Sequence, residues 1–464
     1  MILKNLILHQ KKDEIITQVV ITAGILLLLN LVAMNFWPTE YLLIFDLVII
    51  AFLFTLRFTQ VTFYIMILLY PFIGWQIEFG SINAPLVDFV GIAIAVAWLL
   101  KTVFNFSRQN FSWQSFPGLI YVLLFFVAGI LSLINAEVFS SALKYLIRPI
   151  IFFYLIFVLI PFNFIKTKEQ LYRVLKILLF VGVVVAIIGF LPVIFGGDSW
   201  YERRATPFIF GDFDPIGGNQ NAIAEIMVIT LPIALIILSK IKNYRLQSSL
   251  VILSGFLLLV LLLTFSRSGY LALLLQLIIL IVFRFKKQLA KSLLVPLIIL
   301  FMALPALFYF SVWQEIDWVR SSNTSRLALT EIAWDAFLQH PIIGNGAGSF
   351  QSIVGDTFAF IVDFGDPLDS HGFVQKIAVE QGILGLIFYL GFLLYLTRLF
   401  IRAFGSERDE QEKFEILCFF MLFAGIILFE LFSTSYYLPR VWIPIAVALA
   451  GLNLYDNKLF KKTL

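Results

Sequence analysis

Residues 248–283 read SSLVILSGFLLLVLLLTFSRSGYLALLLQLIILIVF. Two apolar runs, 248–265 and 269–283, are separated only by Ser266-Arg267-Ser268. A hydrocarbon core of about 30 Å is crossed by about 20 apolar residues in helical form, and these runs approach that length. Neither carries the polar face that a surface helix of a soluble protein needs. In lipid every backbone polar group must be bonded internally, which leaves helices or closed barrels. The passage therefore reads as two spanning helices that meet at a minimal turn.

The same pattern recurs along the chain. Fourteen stretches qualify: 15–36, 41–56, 58–76, 86–104, 116–134, 145–162, 174–195, 222–239, 248–265, 269–283, 292–311, 373–397, 414–433 and 438–455. The second and tenth are short, fitting a re-entrant segment or part of a broken helix, so the expectation is 12–14 spans. Composition agrees. Of 464 residues 61% are hydrophobic and 13% charged, against about 25% charged in soluble domains, and mean hydropathy is +0.97. The expected fold class is an all-α integral membrane protein, a bundle of transmembrane helices in a lipid bilayer. A first apolar run too long for a signal-peptide core reads as a retained span. The single cysteine, Cys418, leaves no disulfide framework, and no nucleic-acid partner is expected.

Lys and Arg set the orientation, because cytoplasmic segments retain them. With the N-terminus inside and alternating spans, most of the 33 basic residues fall on the inner side, among them Lys4, Lys11, Lys12, Lys166, Lys168, Lys240, Lys242, Arg284, Lys286 and Lys287. Both termini are then cytoplasmic. The exceptions at or facing the outside are Lys144, Arg148, Arg203, Arg204, Arg267, Arg320, Arg326, Lys376 and Arg440. A cation on the translocated side opposes the orientation signal. Arg320 and Arg203 fit ordinary surface loop charges. Next to or within spans, desolvation favours a functional role or a salt bridge for Arg148, Arg267, Lys376 and Arg440.

Helices 1–11 occupy residues 1–311, with a long outer loop at 196–221; a large extracytoplasmic loop covers 312–372 and the last helices 373–464. Loops this long in a compact fold are usually functional or disordered. In the larger one Ser325 can cap a helix running to His340, with Leu329, Ile332, Ala333, Ala336 and Phe337 as an apolar stripe at helical spacing. Pro341 ends it. The Gly344-Asn345-Gly346-Ala347-Gly348 run that follows reads as a flexible turn; without a preceding strand it is no nucleotide loop.

Three outer-face groups stand out. His371 closes the large loop and opens the twelfth span; a histidine there is often a polar end-cap, but Gln375, Lys376 and Glu380 follow on the same helix, with Lys376 and Glu380 spaced to pair. Two polar flanks would face a hydrated chamber. Arg267 has no loop in which to float, so it snorkels, pairs or binds an anion. Arg204 lies in the other long loop. Two guanidiniums near an imidazole make a reasonable diphosphate site. Structural ion pairs are the alternative, since Glu225, Glu331, Glu380 and Glu430 lie near this face. Asp212-Phe213-Asp214 has metal-ligand spacing, yet Pro215 and the glycines beyond favour an Asx-type turn; no metal or cofactor is expected.

The run Ser325-Arg326 … Trp334 … Pro341-Ile-Ile-Gly344-Asn-Gly346-Ala-Gly348-Ser-Phe350 … His371 … Glu380-Gln-Gly382-Ile-Leu-Gly385 resembles the signature region of the O-antigen ligase and polymerase superfamily. Arg204 … Phe210-Gly211-Asp212 … Asn219-Gln-Asn221 and Thr264-Phe-Ser266-Arg267-Ser-Gly269 are also similar to it. The resemblance implies a metal-independent, inverting GT-C glycosyltransferase in the bacterial inner membrane, active on the periplasmic or extracellular face. Its donor would be a glycan on undecaprenyl diphosphate and its acceptor lipid A-core, another glycan or a protein. The family's essential groups match Arg204, Arg267 and His371, which would be catalytic. Arg203, Arg326, Lys376, Arg148, Arg440 and Glu380 would help to bind substrate. His371, near its ordinary pKa, would accept the acceptor's proton. Relatives commonly carry Asn after the histidine; Gly372 stands there here. A polysaccharide polymerase of the same superfamily is the alternative, and a transporter of a lipid-linked sugar or small anion a more distant one, since no internal repeat is evident.

Overall fold

A computed structural model describes residues 39–79, 82–104, 116–197, 203–284, 317–406, 409–434, 436–456 and 459–460. The first and eleventh expected spans, 15–36 and 292–311, lie outside the described residues. Each of the other twelve coincides with a helix: α1 (Thr39–Arg57), α2 (Thr59–Leu69), α3 (Leu86–Val103), α4 (Leu119–Ser132), α5 (Phe139–Phe164), α6 (Lys168–Phe195), α7 (Gln220–Lys240), α8 (Tyr244–Leu263), α9 (Arg267–Arg284), α13 (Phe373–Gly405), α14 (Glu410–Glu430) and α15 (Pro439–Tyr455). Among the described residues seven helices are long and apolar enough to cross a membrane, or eight if the bent pair α1–α2 counts as one span. The protein is a polytopic membrane helix bundle.

The chain divides into two compact units, Met1–Thr62 with Ala93–Gln109 and Phe63–Ile92 with Asn110–Leu464. Every candidate site residue belongs to the second. There the third expected span is cut short at Leu69, and a β-hairpin follows, β1 (Gln76–Phe79) pairing antiparallel with β2 (Ile82–Pro85). Outside the spans lie three more helices, α10 (Asp317–Gln339), α11 (Phe350–Asp356) and α12 (Phe358–Phe364). Helix α10 begins eight residues before Ser325, so that serine is buried inside the helix instead of capping it. The expected stripe does bury. Leu329, Ala333 and Ala336 pack with Phe350, Val354, Phe360 and Val379, and Ile332 and Phe337 flank them. This small core fastens the outer helices to α13.

Helix α13 is broken. At Gly382 the backbone turns to φ 66°, a left-handed geometry open to glycine at no steric cost. The break would orphan carbonyls above it and N–H groups below it. The glycine loop supplies both sets of partners: Asn345 N donates to Val379 O (2.8 Å) and Gly346 N to Glu380 O (3.1 Å), while Ile383 N donates to Pro341 O (2.9 Å) and Leu384 N to Ile342 O (3.3 Å). The Asn345 amide adds bonds to Ala336 O and Val379 O, and Asn135 Nδ2 reaches Gly344 O at 2.8 Å. The run expected to be a flexible turn is therefore a wedge that completes a discontinuous helix. Its glycines are required by closeness: a Cβ on Gly344 would sit 2.4 Å from the Glu380 carbonyl carbon, and one on Gly382 2.3 Å from Ile342 O.

The far ends of α6, α7, α14 and α15 carry a second polar knot. Buried Glu415 accepts from Tyr172 (2.5 Å) and Tyr455 and pairs with Lys240 at 2.7 Å. Lys168 meets Glu412 at 2.6 Å. These residues start α6 and α14 and end α7 and α15, as the alternation of spans requires.

Candidate functional site

Helix α9 starts at Arg267 because Ser266 caps it: the Ser266 hydroxyl oxygen accepts from Gly269 N at 3.2 Å, the N-cap geometry that satisfies an orphan N–H. The same hydroxyl donates to Asn221 Oδ1 of α7 at 2.7 Å. Just before it, Phe265 has φ 52°. A bulky side chain held in the left-handed region costs on the order of 1–3 kcal/mol and persists only where its surroundings enforce it. Thr264 and Tyr270 do so: the Thr264 hydroxyl bonds Leu261 O (2.6 Å), and the Tyr270 hydroxyl bonds Leu262 O. The strained turn leaves Arg267 exposed at the end of the bundle.

Ala205 N donates to Leu263 O at 2.8 Å, which ties the segment bearing half-buried Arg204 to the end of α8. Exposed Arg203 donates from Nε to Gly197 O at 3.0 Å. From α10, half-buried Arg326 lies within electrostatic reach of Arg267, and the Arg326 charge is disfavoured first by burial and then by that neighbour. Its Nε has no hydrogen-bond partner among the described residues. Arg326 in turn reaches His371. Arg267, Arg326 and His371 thus stand in series, on three segments far apart in sequence. Like charges gathered at a half-buried surface, with a guanidinium N–H left unbonded, are the electrostatics of an anion site.

Burial first, and then Arg326, push His371 down to about 4, against a smaller upward pull from Asp369. The expectation of an ordinary histidine pKa is corrected: at neutral pH this imidazole is neutral. Gly372, one residue on, is explained by packing. A Cβ there would lie 2.5 Å from Leu431 O at the end of α14, so the asparagine common in relatives does not fit without movement.

Three of the residues expected to contact substrate, Lys376, Glu380 and Arg440, are buried in ion pairs. Lys376 is 2% exposed, with its ammonium 2.6 Å from Asp369 Oδ1 and 3.1 Å from Glu380 Oε1, over the rings of Tyr145 and Phe350. Glu380 is fully buried. Of the two polar flanks expected to face a hydrated chamber, the one with Lys376 and Glu380 is closed inside the protein, while Gln375 stays half-buried and donates to the Thr330 hydroxyl at 3.0 Å. Arg440 is also buried, with Nε 2.7 Å from Glu225 Oε2, an ion pair joining α15 to α7. The side chain of Arg148 lies outside the described residues. Asp214 forms the expected Asx turn, its Oδ1 accepting from Ile216 N and Gly217 N at 3.1 and 2.9 Å. Among the described residues no three His, Cys, Asp or Glu side chains gather as a metal site. Asp369 was missed by sequence reasoning; its only signal was a position two residues before His371.

A polytopic helical membrane protein with arginines and a histidine gathered at one end of the helix bundle is the class these features define. The O-antigen ligase family model matches residues 249–390, less than a third of the chain, and so takes in Arg267, Arg326, His371 and the break in α13 at Gly382, but not Arg204 or Arg440. The match falls on the superfamily that the motifs resemble and supports an activity of the O-antigen ligase or polymerase type. No curated protein matches the chain. Among solved structures, a chain from a peptidoglycan synthase complex that coordinates polymerization and crosslinking is similar at 17% identity, over 73% of this chain and 98% of that one, with a TM-score of 0.41. So loose a likeness bears on neither fold nor function.

Proposed function

We propose that this protein transfers a glycan from undecaprenyl diphosphate to an acceptor hydroxyl on the outer side of a bacterial inner membrane, as an O-antigen ligase does. The observation that carries the reading is the series Arg267–Arg326–His371, within the stretch matched to the ligase family. The acceptor oxygen attacks the anomeric carbon from the face opposite the diphosphate. The bond from that carbon to the diphosphate oxygen breaks, its electron pair stays on the leaving group, and the sugar inverts. Arg267 and Arg326, with Arg204 from the neighbouring loop, oppose the charge as it develops; cations already in place stabilise a transition state better than water, which must first reorient. His371 takes the acceptor's proton. A neutral imidazole has the lone pair this needs, and the charge of a bound diphosphate beside Arg326 raises its affinity for the proton.

The test is transfer from undecaprenyl-diphosphate glycan by full-length protein in membranes. His371→Ala and Arg267→Ala, each inserted at normal levels, are expected to lose activity on the order of a hundredfold or more. Wild-type rates in both would refute the assignment. A glycolipid gel after deletion of the gene separates the two superfamily activities. Polymer left on its lipid carrier means ligase, and loss of chain length means polymerase. Neither change, with altered solute uptake, means transport.

A further inference from the structure

The Asp369–Lys376 pair is not used by the chemistry above, yet it is built into the segment that presents the imidazole. Lys376 sits on the first turn of α13, boxed by two carboxylates and two aromatic faces. A desolvated ammonium gains from ring faces and costs several kcal/mol if its anions are removed. Of those anions Glu380 lies on the same helix, just before the break at Gly382, where the glycine wedge holds its carbonyl. Asp369 lies on the loop, with its side chain one-third exposed. Besides the ammonium, Asp369 Oδ1 accepts Ser370 N at 2.9 Å, while the Ser370 hydroxyl donates to Gly372 O at 3.1 Å. The backbone on both sides of His371 is therefore fastened to a buried anchor.

We propose that Asp369 and Lys376 are positioning residues whose buried ion pair holds the loop that presents the His371 imidazole at the start of α13. The idea rests on the function proposed above and assigns Lys376 and Glu380 to the support of the site in place of substrate contact. Among the described residues, the charges that act on His371 are Arg326 from α10 and Asp369 from its own loop. Arg267 acts through Arg326, and Lys376 and Glu380 lie behind Asp369. Lys376 holds Asp369 by a charge-assisted bond. Without it the carboxylate is unmatched and pulls His371 towards protonation.

The experiment is an NMR titration of selectively labelled histidine in the purified full-length protein, with His9→Gln and His340→Gln leaving one imidazole, alongside transfer kinetics. Lys376→Met is expected to raise the His371 midpoint by about one pH unit. It should lower kcat on the order of a hundredfold, since small misplacements of a catalytic group cost that much, with KM little changed. Lys376→Arg should restore the midpoint. Asp369→Asn, at a partly exposed position, carries the test if Lys376→Met does not insert; its midpoint should fall and kcat drop with KM held. A merely structural pair would lower the melting temperature and leave the midpoint and kcat at wild-type values, which overturns the proposal. Should His371→Ala itself transfer glycan normally, the function proposed above fails instead, and the titration still reads the pair.

Discussion

Arg326 links the site because it lies within electrostatic reach of both Arg267 and His371. It is half-buried, flanked by a second cation, and acts on a histidine whose charge it disfavours. Arg326→Gln removes a positive charge, so the His371 pKa should rise from about 4 towards its ordinary value of 6.5. The acid limb of kcat/KM should rise with it, because activity needs the neutral imidazole and is lost as pH falls through that pKa. A pH–rate profile of the variant checks this; an unmoved limb would mean Arg326 and His371 are not coupled. The sequence singles out His371 and Arg267 because polar groups at the ends of apolar helices oppose what lipid favours, and Arg204 because a cation in an outer loop opposes the orientation signal. The partners of those groups were not legible. Lys376, Glu380 and Arg440 broke the same rule for another reason: each is neutralised by a partner of opposite charge, Lys376 by Asp369 and Glu380, and Arg440 by Glu225.

The broken helix α13 and its glycine wedge show how an element carries a site. The first half, from Phe373 to the break, bears the anchor of the histidine loop; the second continues as an ordinary apolar span. Gly382→Ala would need φ near 66° and would place a Cβ 2.3 Å from Ile342 O. It is expected to destabilise by about 1–3 kcal/mol from backbone strain alone, with the clash added, read as a lower thermal midpoint in detergent. Gly372→Asn, which restores the residue of relatives, should also destabilise, because Leu431 O occupies the space. A melting curve at or above wild type in either variant would contradict the packing described. Periodicity exposed the helices but not this break, since a glycine inside an apolar run looks the same whether it bends the chain or lies in a straight turn. The wedge escaped for the same reason: Gly344, Gly346 and Gly348 signal a turn, and only contact shows that the turn completes a helix.

For the molecule as a whole, helix content and polytopic architecture followed from hydropathy alone, because lipid leaves only helices or closed barrels and continuous apolar runs of about 20 residues fit helices. Lys168, Lys240 and Tyr455 gather at one set of helix ends, and Asn221 with Ser266 at the other. That segregation agrees in parity with the charge rule. Cys418 is buried, so an added thiol reports alone. Asp212→Cys, in an exposed part of the outer loop, should react with an impermeant maleimide in intact cells, and Lys242→Cys only after permeabilisation. The reverse pattern would invert the orientation and put the arginines on the wrong side for a translocated glycan.

Whether the cations and the imidazole grip one lipid-borne diphosphate can be read from the reaction of His371 with diethyl pyrocarbonate at neutral pH, in full-length protein with and without undecaprenyl diphosphate. The neutral imidazole should react readily in the free protein. The lipid diphosphate should shield it in wild type and do so far less in Arg267→Ala. Equal reaction rates with and without the lipid would show that Arg267, Arg326 and His371 do not share a diphosphate site.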